Sequence, residues 1–324
     1  MIFAILVFTV LTLAGDVGEL RDVLQRFDWR WAPIIVALTV WNYAGRYRKW
    51  EMYLAALGVP AIPRLLNVRI FLSGFAMSIT PGKVGELIKA FQVQRLTGTP
   101  VERTAAAVAA ERATDGLAML VLASVGATQF SYGRPFVGIV GLLAVVAVLV
   151  LQRPALLHAL VARLEHVPLV GRTAGRGEHF ITSSSTLMRP RLLLRGTVIG
   201  VVSWSGECLA FLLILVALGI DASWSLLLIA TFVLAVSSLA GGISMLPGGL
   251  GVGDASVAGM LLALVDQPDM TRATAVAATL LVRFATLWFA VLIGFVALFS
   301  LERGGRRRSG GTGPATTVTE GGRS

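Results

Sequence analysis

The sequence contains few cysteines, histidines and charged residues, which are the residues that form disulfides, bind metals and make a protein surface soluble. It has one cysteine and three histidines, and 14% of its residues are charged. The single cysteine, Cys208, cannot form a disulfide within the chain, so cysteine usage says nothing about the redox compartment. His158, His166 and His179 do not have the spacing of metal ligands. We therefore expect neither a disulfide framework nor a metal site.

The motifs of several enzyme classes are missing as well. The chain has no His-Glu-x-x-His, no phosphate-binding Gly-Lys-Ser/Thr loop and no Gly-x-Ser-x-Gly. We expect no catalytic residues, no cofactor and no ATP-driven pumping by this chain alone. The net charge of +10 could indicate nucleic-acid binding. However, no basic face is interleaved with stacking aromatics, so we expect no nucleic-acid partner.

Apolar residues, by contrast, are abundant. They make up 56% of the chain, and the mean hydropathy is +0.78. Runs such as 196–218 and 273–298 exceed the roughly 20 residues that cross a hydrocarbon core. The composition predicts a multi-pass protein of the cell (inner) membrane. The stretch Ile2–Ala14 lacks a positively charged start and a clear cleavage site, which favours a short, retained first span over a signal peptide.

The apolar runs and their boundaries predict an all-α membrane helical bundle in residues 1–301. We expect spans at 2–14, 31–50, 104–128, 135–151, 195–219 and 273–300, an amphipathic helix at 16–28, and a polar loop at 153–190 with a short interfacial stretch near 156–164. The tail 302–324 is rich in Gly, Ser, Thr and Arg, and we expect it to be a disordered, basic cytoplasmic segment.

One unusual string interrupts the hydrophobic pattern twice. It reads Ser78-Ile-Thr-Pro-Gly-Lys-Val-Gly-Glu86 in the first half and Ser244-Met-Leu-Pro-Gly-Gly-Leu-Gly-Val-Gly-Asp254 in the second. Helix breakers and charges are costly in a bilayer unless they line a cavity enclosed by protein. Matched interruptions in two halves are typical of a transporter's central site. We therefore predict two re-entrant helical hairpins, with half-helices in 64–97 and in 224–240 and 248–265.

The residues around the two strings also match. Leu54-Ala-Ala-Leu-Gly-Val59 and Leu215-Val-Ala-Leu-Gly-Ile220 precede them, and an alanine-rich helix follows each, carrying Arg112 or Arg283. These matches define repeat 1, about 31–128, and repeat 2, about 195–300. Alanine-rich helices also recur by chance in membrane proteins, because small residues let helices pack closely.

Charge outside the spans predicts the orientation of the repeats. Basic residues are concentrated at Arg46, Arg48 and Lys49, in the loop 153–195 and in the tail from Arg303, whereas 16–30 and 266–272 are nearly balanced. The basic segments should be cytoplasmic, as should both termini. This assignment requires the first Pro-Gly unit to enter from the cytoplasm and the second from outside. The two repeats would then have inverted topology.

Ionisable residues near the first unit form the strongest candidate site. Lys83 starts a half-helix, where free N–H groups and the helix dipole favour an anion. The candidates of this half are Lys83, Glu86, Lys89, Glu111, Arg112 and Asp115, with Pro81, Gly82 and Gly85 shaping the loop. Three cations beside three carboxylates are balanced, so two interpretations stay open. The charges bind a ligand, or they only neutralise one another and fix the hairpin to the next helix.

The second unit has fewer charges. Its candidates are Asp254 and Arg283, with Glu207 as a further charged residue, and with Pro247, Gly248, Gly249, Gly251 and Gly253 in the loop. A glycine-rich turn can hold a phosphate through backbone amides. On its own such a turn is a weak signal, and it gains weight here because it matches the first unit.

The chain resembles the lysylphosphatidylglycerol synthase transmembrane-region family of flippase-like membrane proteins. The resemblance covers about residues 2–300 and depends on Pro81-Gly-Lys-Val-Gly-Glu86, Glu111-Arg-Ala-Thr-Asp115 and Leu246-Pro-Gly-Gly-Leu-Gly-Val-Gly-Asp254. It implies a helical fold with re-entrant elements and cavities that open toward both leaflets. It also implies the movement of a lipid such as aminoacylated phosphatidylglycerol, or a link to lipid-carried sugars. Some members carry a soluble synthase domain after the membrane part, but a short basic tail follows residue 301 here, so we do not expect the synthase activity.

These observations favour a lipid translocase without intrinsic catalysis, whose partners are membrane lipids. Lys83 and Arg112 would contact the headgroup phosphate. Glu86, Glu111 and Asp115 would position these cations or meet an amine, while Asp254 and Arg283 would serve the outer side. Two alternatives remain: a transferase that acts on lipid-linked sugars with Glu86 or Asp254 as base, and an accessory subunit of a lipid-synthesising enzyme or glycosyltransferase.

Overall fold

The computed structural model describes residues 17–130, 133–151 and 174–309, and every structural statement below concerns these residues. They form helices joined by short connections, without a strand among them. The expected first span at 2–14, the interfacial stretch near 156–164 and the tail beyond residue 309 lie outside the described residues. The all-α membrane class predicted from the sequence is confirmed.

The first half contains six α-helices. They are α1 (Val17–Arg26), α2 (Ala32–Ala56), α3 (Arg64–Ser73), α4 (Ile88–Thr97), α5 (Val101–Ala127) and α6 (Gly133–Leu151). Between α3 and α4 the chain forms two 3₁₀ segments, Gly74–Met77 and Pro81–Leu87, so the first Pro-Gly unit interrupts the helix where expected. Helix α4 ends at Gly98, whose positive φ of 72° is the left-handed conformation that glycine adopts readily.

The second half contains six more α-helices among the described residues. They are α7 (Ala174–Leu187), α8 (Pro190–Ala217), α9 (Trp224–Ile243), α10 (Val252–Leu264), α11 (Arg272–Arg283) and α12 (Phe289–Ser309). A 3₁₀ turn, Pro247–Gly249, separates α9 from α10, and a π-helical segment, Phe284–Trp288, joins α11 to α12. Ser223 and Thr271 cap α9 and α11, because their hydroxyls accept hydrogen bonds from the first-turn amides.

Four helical segments of the described residues are long and apolar enough to cross a membrane. They are Pro190–Ala217, Trp224–Ile243, Pro247–Leu264 and Arg272–Arg303. Helices α2 and α5 are as long, with 25 and 27 residues, but carry buried charged residues. The protein is thus a multi-pass membrane protein. Because the segments on both sides of Pro247 are each long enough to cross, helix length does not decide whether this hairpin is re-entrant, which stays a prediction.

Three predicted boundaries were wrong. Helix α2 continues to Ala56 rather than ending at residue 50, so Arg46 and Lys49 lie inside a helix and are buried. Helix α7 occupies part of the expected polar loop, because its apolar residues Ile181 and Leu187 are buried while the helix packs on α5. Helix α12 extends to Ser309, past the expected start of the tail, since adding residues to a formed helix costs little.

The two halves pack on each other in a reciprocal pattern. The leading helices α2 and α8 pack together, α9 packs on α5, and α3 packs on α12. Gly45 and Gly206 allow the close approach of α2 and α8. A Cβ atom at Gly45 would lie 2.5 Å from Cβ of Ser203, and one at Gly206 would lie 2.8 Å from Cδ1 of Trp41. Such an exchange of partners is what a two-fold repeat predicts, whereas the inverted orientation itself stays a prediction.

Candidate functional site

The two Pro-Gly units meet in space. The amide of Gly82 donates a hydrogen bond of 3.1 Å to the carbonyl oxygen of Met245. The Met245 side chain covers Gly82, where a Cβ atom would lie 2.7 Å from Cε of the methionine. Gly82 also has a φ of 59°, so its backbone conformation and its surroundings both require glycine. The two strings that the sequence repeats therefore contact each other directly.

A cavity of about 460 Å³ lies between these units. Residues from both repeats line it, among them Asn42, Arg46, Ser78, Gly82, Glu86, Arg112 and Asp115 from the first, and Trp204, Glu207, Ser237, Met245, Gly248, Gly249 and Arg283 from the second. The volume lies within the range of roughly 300–1,000 Å³ typical of small-ligand sites. Polar and charged side chains are thus gathered around one space inside an apolar bundle.

Glu111 is the centre of a buried ion-pair network beside the cavity. Its side chain is fully buried, and it accepts hydrogen bonds from three cations: Arg46 at 2.8 and 3.1 Å, Lys89 at 2.9 Å and Arg112 at 2.8 Å. These bonds join α2, α4 and α5. Removing water from charged groups is costly, and such close contacts with several opposite charges offset that cost.

The other two carboxylates of the network also have cationic partners. Asp115 pairs with Lys49, accepts a hydrogen bond of 3.1 Å from Nε1 of Trp204, and lies 3.5 Å from Nη2 of Arg112. Glu86 lies 3.4 Å from Nη2 of Arg112 and 3.8 Å from Nζ of Lys89. The five first-half candidates of 86–115 are therefore brought together as expected. Their mutual neutralisation, one of the two open interpretations, is part of the structure.

The network also contains two cations that sequence reasoning did not assign to it. Arg46 and Lys49 of α2 were interpreted as loop charges that mark the cytoplasmic side, but both are paired within the network. With Lys89 and Arg112 they make four cations against Glu86, Glu111 and Asp115, a surplus of one positive charge (4 − 3 = 1). Because they are buried on α2, they do not support the predicted orientation. Their spacing with Asn42 and Tyr53 along one helix face was the available signal.

Lys83, the remaining first-half candidate, stays a prediction. Its backbone belongs to the 3₁₀ segment Pro81–Leu87, but its side chain lies outside what the structure describes. The regular half-helix begins only at Ile88, so the α-helical N-terminus is five residues beyond Lys83 (88 − 83 = 5). Gly85 has a packing role, because a Cβ atom there would lie 2.5 Å from Cβ of Met77.

In the second unit, Arg283 binds the loop that contains Gly248 and Gly249. Arg283 pairs with Asp254, and its Nη1 and Nη2 donate hydrogen bonds of 3.3 Å to the carbonyl oxygens of Gly248 and Gly249. Gly253 leaves room for this guanidinium, since a Cβ atom there would lie 2.5 Å from Nη2. The carboxylate after each Pro-Gly unit therefore pairs with the arginine of a following helix, Glu86 with Arg112 and Asp254 with Arg283.

The glycine-rich turn differs from the expected phosphate cradle. The amide of Gly251 donates a 2.9 Å hydrogen bond to Oδ2 of Asp254, and that of Gly249 donates a 2.9 Å hydrogen bond to the carbonyl of Leu246. Two of the expected amides are therefore used inside the loop, because Asp254 caps α10. Pro247 begins the 3₁₀ turn that forms the loop. Arg283 is the cation that this half contributes to the lining of the cavity.

Exposure separates the structural cations from those that can reach a ligand. The side chains of Lys49 and Lys89 are fully buried, whereas those of Arg112 and Arg283 are 28% and 21% exposed and both residues line the cavity. Nε of Arg112 also has no hydrogen-bond partner among the described residues. Within the same residues, no group of three or more His, Cys, Asp and Glu side chains could hold a metal ion.

Comparison with known proteins identifies the family of this chain. The family model described as the lysylphosphatidylglycerol synthase TM region matches residues 1–294. The chain belongs to that family. One similar protein is a UPF0104 membrane protein of Methanothermobacter thermautotrophicus. It is 22% identical over 324 residues, and the alignment covers 92% of this chain and 93% of the relative.

A second relative is the glycosyltransferase AglD of Haloferax volcanii. It is 24% identical over 317 residues, which cover 87% of this chain and 50% of the relative. The chain thus spans about half the length of that glycosyltransferase. Together these matches show a membrane protein of a family whose description refers to a lipid synthase.

Proposed function

We propose that this protein is a translocase that moves a lipid with an anionic headgroup, a phospholipid or a polyprenyl-phosphate-linked lipid, between the leaflets of the membrane. The observation that carries the proposal is the cavity between the Pro-Gly units, lined by Arg112 from one repeat and Arg283 from the other. Each arginine comes from the corresponding helix of its repeat. One bound phosphate would then interact with both halves of the protein.

The charge arrangement suits a phosphate. Guanidinium groups bind phosphate oxygens through two parallel hydrogen bonds and lose little conformational freedom when they are already positioned. Arg112 is positioned by Glu86, Glu111 and Asp115, and the network has one positive charge in surplus. The cavity can hold a headgroup while the acyl or prenyl chains remain in the surrounding lipid.

We propose that the chain itself has no catalytic activity. The two carboxylates that were considered as bases are both paired, Glu86 with Arg112 and Lys89, and Asp254 with Arg283. Ion pairing favours the charged carboxylate and makes it a weaker base. The AglD match supports a second candidate function, an accessory role toward a lipid-linked sugar or a glycosyltransferase partner. Location in the cell membrane with cytoplasmic termini belongs to the same proposal.

Reconstitution into liposomes tests the proposal. Phosphatidylglycerol labelled on an acyl chain with a fluorophore that dithionite quenches reports the fraction of lipid that crosses the bilayer. Wild-type protein should accelerate crossing, and Arg112→Gln and Arg283→Gln should each slow it about ten-fold or more, since a hydrogen bond to a charged group contributes about 1.5–3 kcal/mol.

Arg48→Gln is the matched control, because Arg48 is 71% exposed and pairs with Glu51 outside the cavity. It should leave the rate unchanged. Size-exclusion chromatography identifies variants that do not fold, and native mass spectrometry of lipids bound to the wild type gives an independent measure. Crossing at the rate of empty liposomes, for phosphatidylglycerol and for a polyprenyl phosphate, would refute the translocase. Turnover of a lipid-linked sugar by the purified chain would favour an enzyme instead.

A further inference from the structure

Two aromatic side chains line the cavity at equivalent positions of the two repeats. Tyr43 lies on α2 and Trp204 on α8. Their separation of 161 residues (204 − 43 = 161) is the offset that relates Leu54 to Leu215 in the matching strings before the Pro-Gly units (215 − 54 = 161). Each leading helix therefore presents an aromatic ring with a hydrogen-bond donor to the cavity.

Both donors bond to the opposite repeat. The hydroxyl of Tyr43 donates a hydrogen bond of 2.9 Å to the main-chain carbonyl oxygen of Thr286. Nε1 of Trp204 donates a hydrogen bond of 3.1 Å to Oδ1 of Asp115. One bond runs from the first repeat to the second and the other from the second to the first, so the two bonds are reciprocal.

The two acceptors have the same position relative to the cavity arginines. Asp115 lies three residues after Arg112 (115 − 112 = 3), and Thr286 lies three residues after Arg283 (286 − 283 = 3). Oδ2 of Asp115 is 3.5 Å from Nη2 of Arg112. Thr286 belongs to the π-helical segment Phe284–Trp288, which begins directly after Arg283, whereas the matching part of α5 is regular α-helix. Short π-helical segments are frequent at functional sites.

The surroundings of Tyr43 suit it to hold this segment in place. Its side chain is 7% exposed, and its ring packs on Phe75 and Phe289, with ring centroids 4.9 and 6.2 Å apart. A ring fixed in this way holds the hydroxyl against the main chain that follows Arg283.

Trp204 acts on the other arginine through a carboxylate. Trp204 and Lys49 both donate to Oδ1 of Asp115, which leaves Oδ2 facing Arg112. The indole therefore helps to set the direction of a carboxylate that contacts the guanidinium.

We propose that Tyr43 and Trp204 are positioning residues that orient Arg283 and Arg112, respectively, for the phosphate of the transported lipid. The leading helix of each repeat thus sets the phosphate contact of the other repeat. A guanidinium that is already held in place loses less conformational freedom when it binds phosphate, so loss of either hydrogen bond weakens binding. This inference rests on the proposed translocase function.

Phenylalanine at either position removes the hydrogen bond and keeps an aromatic ring. In the dithionite assay with chain-labelled phosphatidylglycerol, Tyr43→Phe should slow crossing about three-fold and Trp204→Phe about ten-fold, because the second bond has a charged acceptor. Double variants then show through which arginine each residue acts. Tyr43→Phe should slow Arg112→Gln protein further but not Arg283→Gln protein, and Trp204→Phe should show the opposite pattern. A merely structural role would slow both backgrounds alike.

Tyr53→Phe and Trp41→Phe are the matched controls. The hydroxyl of Tyr53 forms a hydrogen bond of 3.0 Å with Oγ1 of Thr114, and Nε1 of Trp41 donates one of 3.1 Å to the carbonyl oxygen of Val202. Neither Tyr53 nor Trp41 lines the cavity. Both controls should leave the rate of crossing unchanged, and thermal stability in detergent identifies variants that do not fold.

The outcomes separate the positioning role from the translocase itself. Wild-type crossing by Tyr43→Phe or by Trp204→Phe would overturn the role of that residue, as would equal slowing in both arginine backgrounds, and the translocase would stand. Where a double variant is no faster than empty liposomes, native mass spectrometry of bound phosphatidylglycerol supplies the same comparison. No acceleration of crossing by the wild type would overturn the translocase, and the positioning role with it.

Discussion

Replacing Glu111 by glutamine tests how much of the fold depends on the buried network. The substitution keeps the shape of the side chain but removes the charge that Arg46, Lys89 and Arg112 share. The network would change from a surplus of one positive charge to a surplus of two. Loss of one partner of a buried ion pair destabilises a protein by about 3–5 kcal/mol, because it leaves an uncompensated charge. We expect a loss of that size for Glu111→Gln.

The free energy of unfolding, measured by chemical denaturation in detergent micelles, checks this value. Glu51→Gln breaks the exposed pair with Arg48 and should change stability by only about 0–1 kcal/mol. Lys89→Met, combined with Glu111→Gln, restores the surplus to one and should recover about 1 kcal/mol or more, because contacting residues are coupled. The reasoning fails if Glu111→Gln is as stable as the wild type, or if the double variant is no more stable than the single one.

Two glycine substitutions test the close contacts between the repeats. Gly45→Val should destabilise the protein by about 1–3 kcal/mol, because its side chain would overlap Ser203 where α2 meets α8; unchanged thermal stability in detergent would contradict the packing described. Gly82→Ala should cost about 1–2 kcal/mol, since it places a Cβ against Met245 at a φ of 59°. It should also slow lipid crossing in liposomes, and a wild-type rate would show that contact between the two units is not needed for transport.

Sequence reasoning found most of the network because its members carry a recognisable signal. Glu86, Glu111 and Arg112 are ionisable residues in apolar or glycine-rich surroundings, where charge is costly and therefore noticeable. Glu111 and Asp115 are four residues apart, a spacing that places both side chains on one face of a helix. The repeat likewise identified Asp254 and Arg283 as candidates of the second half, whereas their pairing is known only from the structure.

The residues that were misassigned or left open had competing explanations. Arg46 and Lys49 lie near a predicted helix end, where basic residues usually mark topology. Only their tertiary contacts with Glu111 and Asp115 of α5 show that they belong to the network. Glu207 is the one charged residue in the apolar run 196–217, and only the structure shows that it is buried and lines the cavity. Neither fact is local to the sequence, because both depend on which helices pack together.

The hydrogen bond between Gly82 and Met245 joins main-chain atoms only. Its strength is therefore independent of the side chains that flank the two units, apart from the requirement for glycine at position 82. The two copies of a duplicated element can diverge while such a bond keeps them in register. The main-chain contact between the two units does not depend on the side chain that follows each Pro-Gly. That residue can therefore differ, and it is a lysine in one unit and a glycine in the other. This independence would allow one scaffold to acquire different headgroup preferences without rebuilding its central contact.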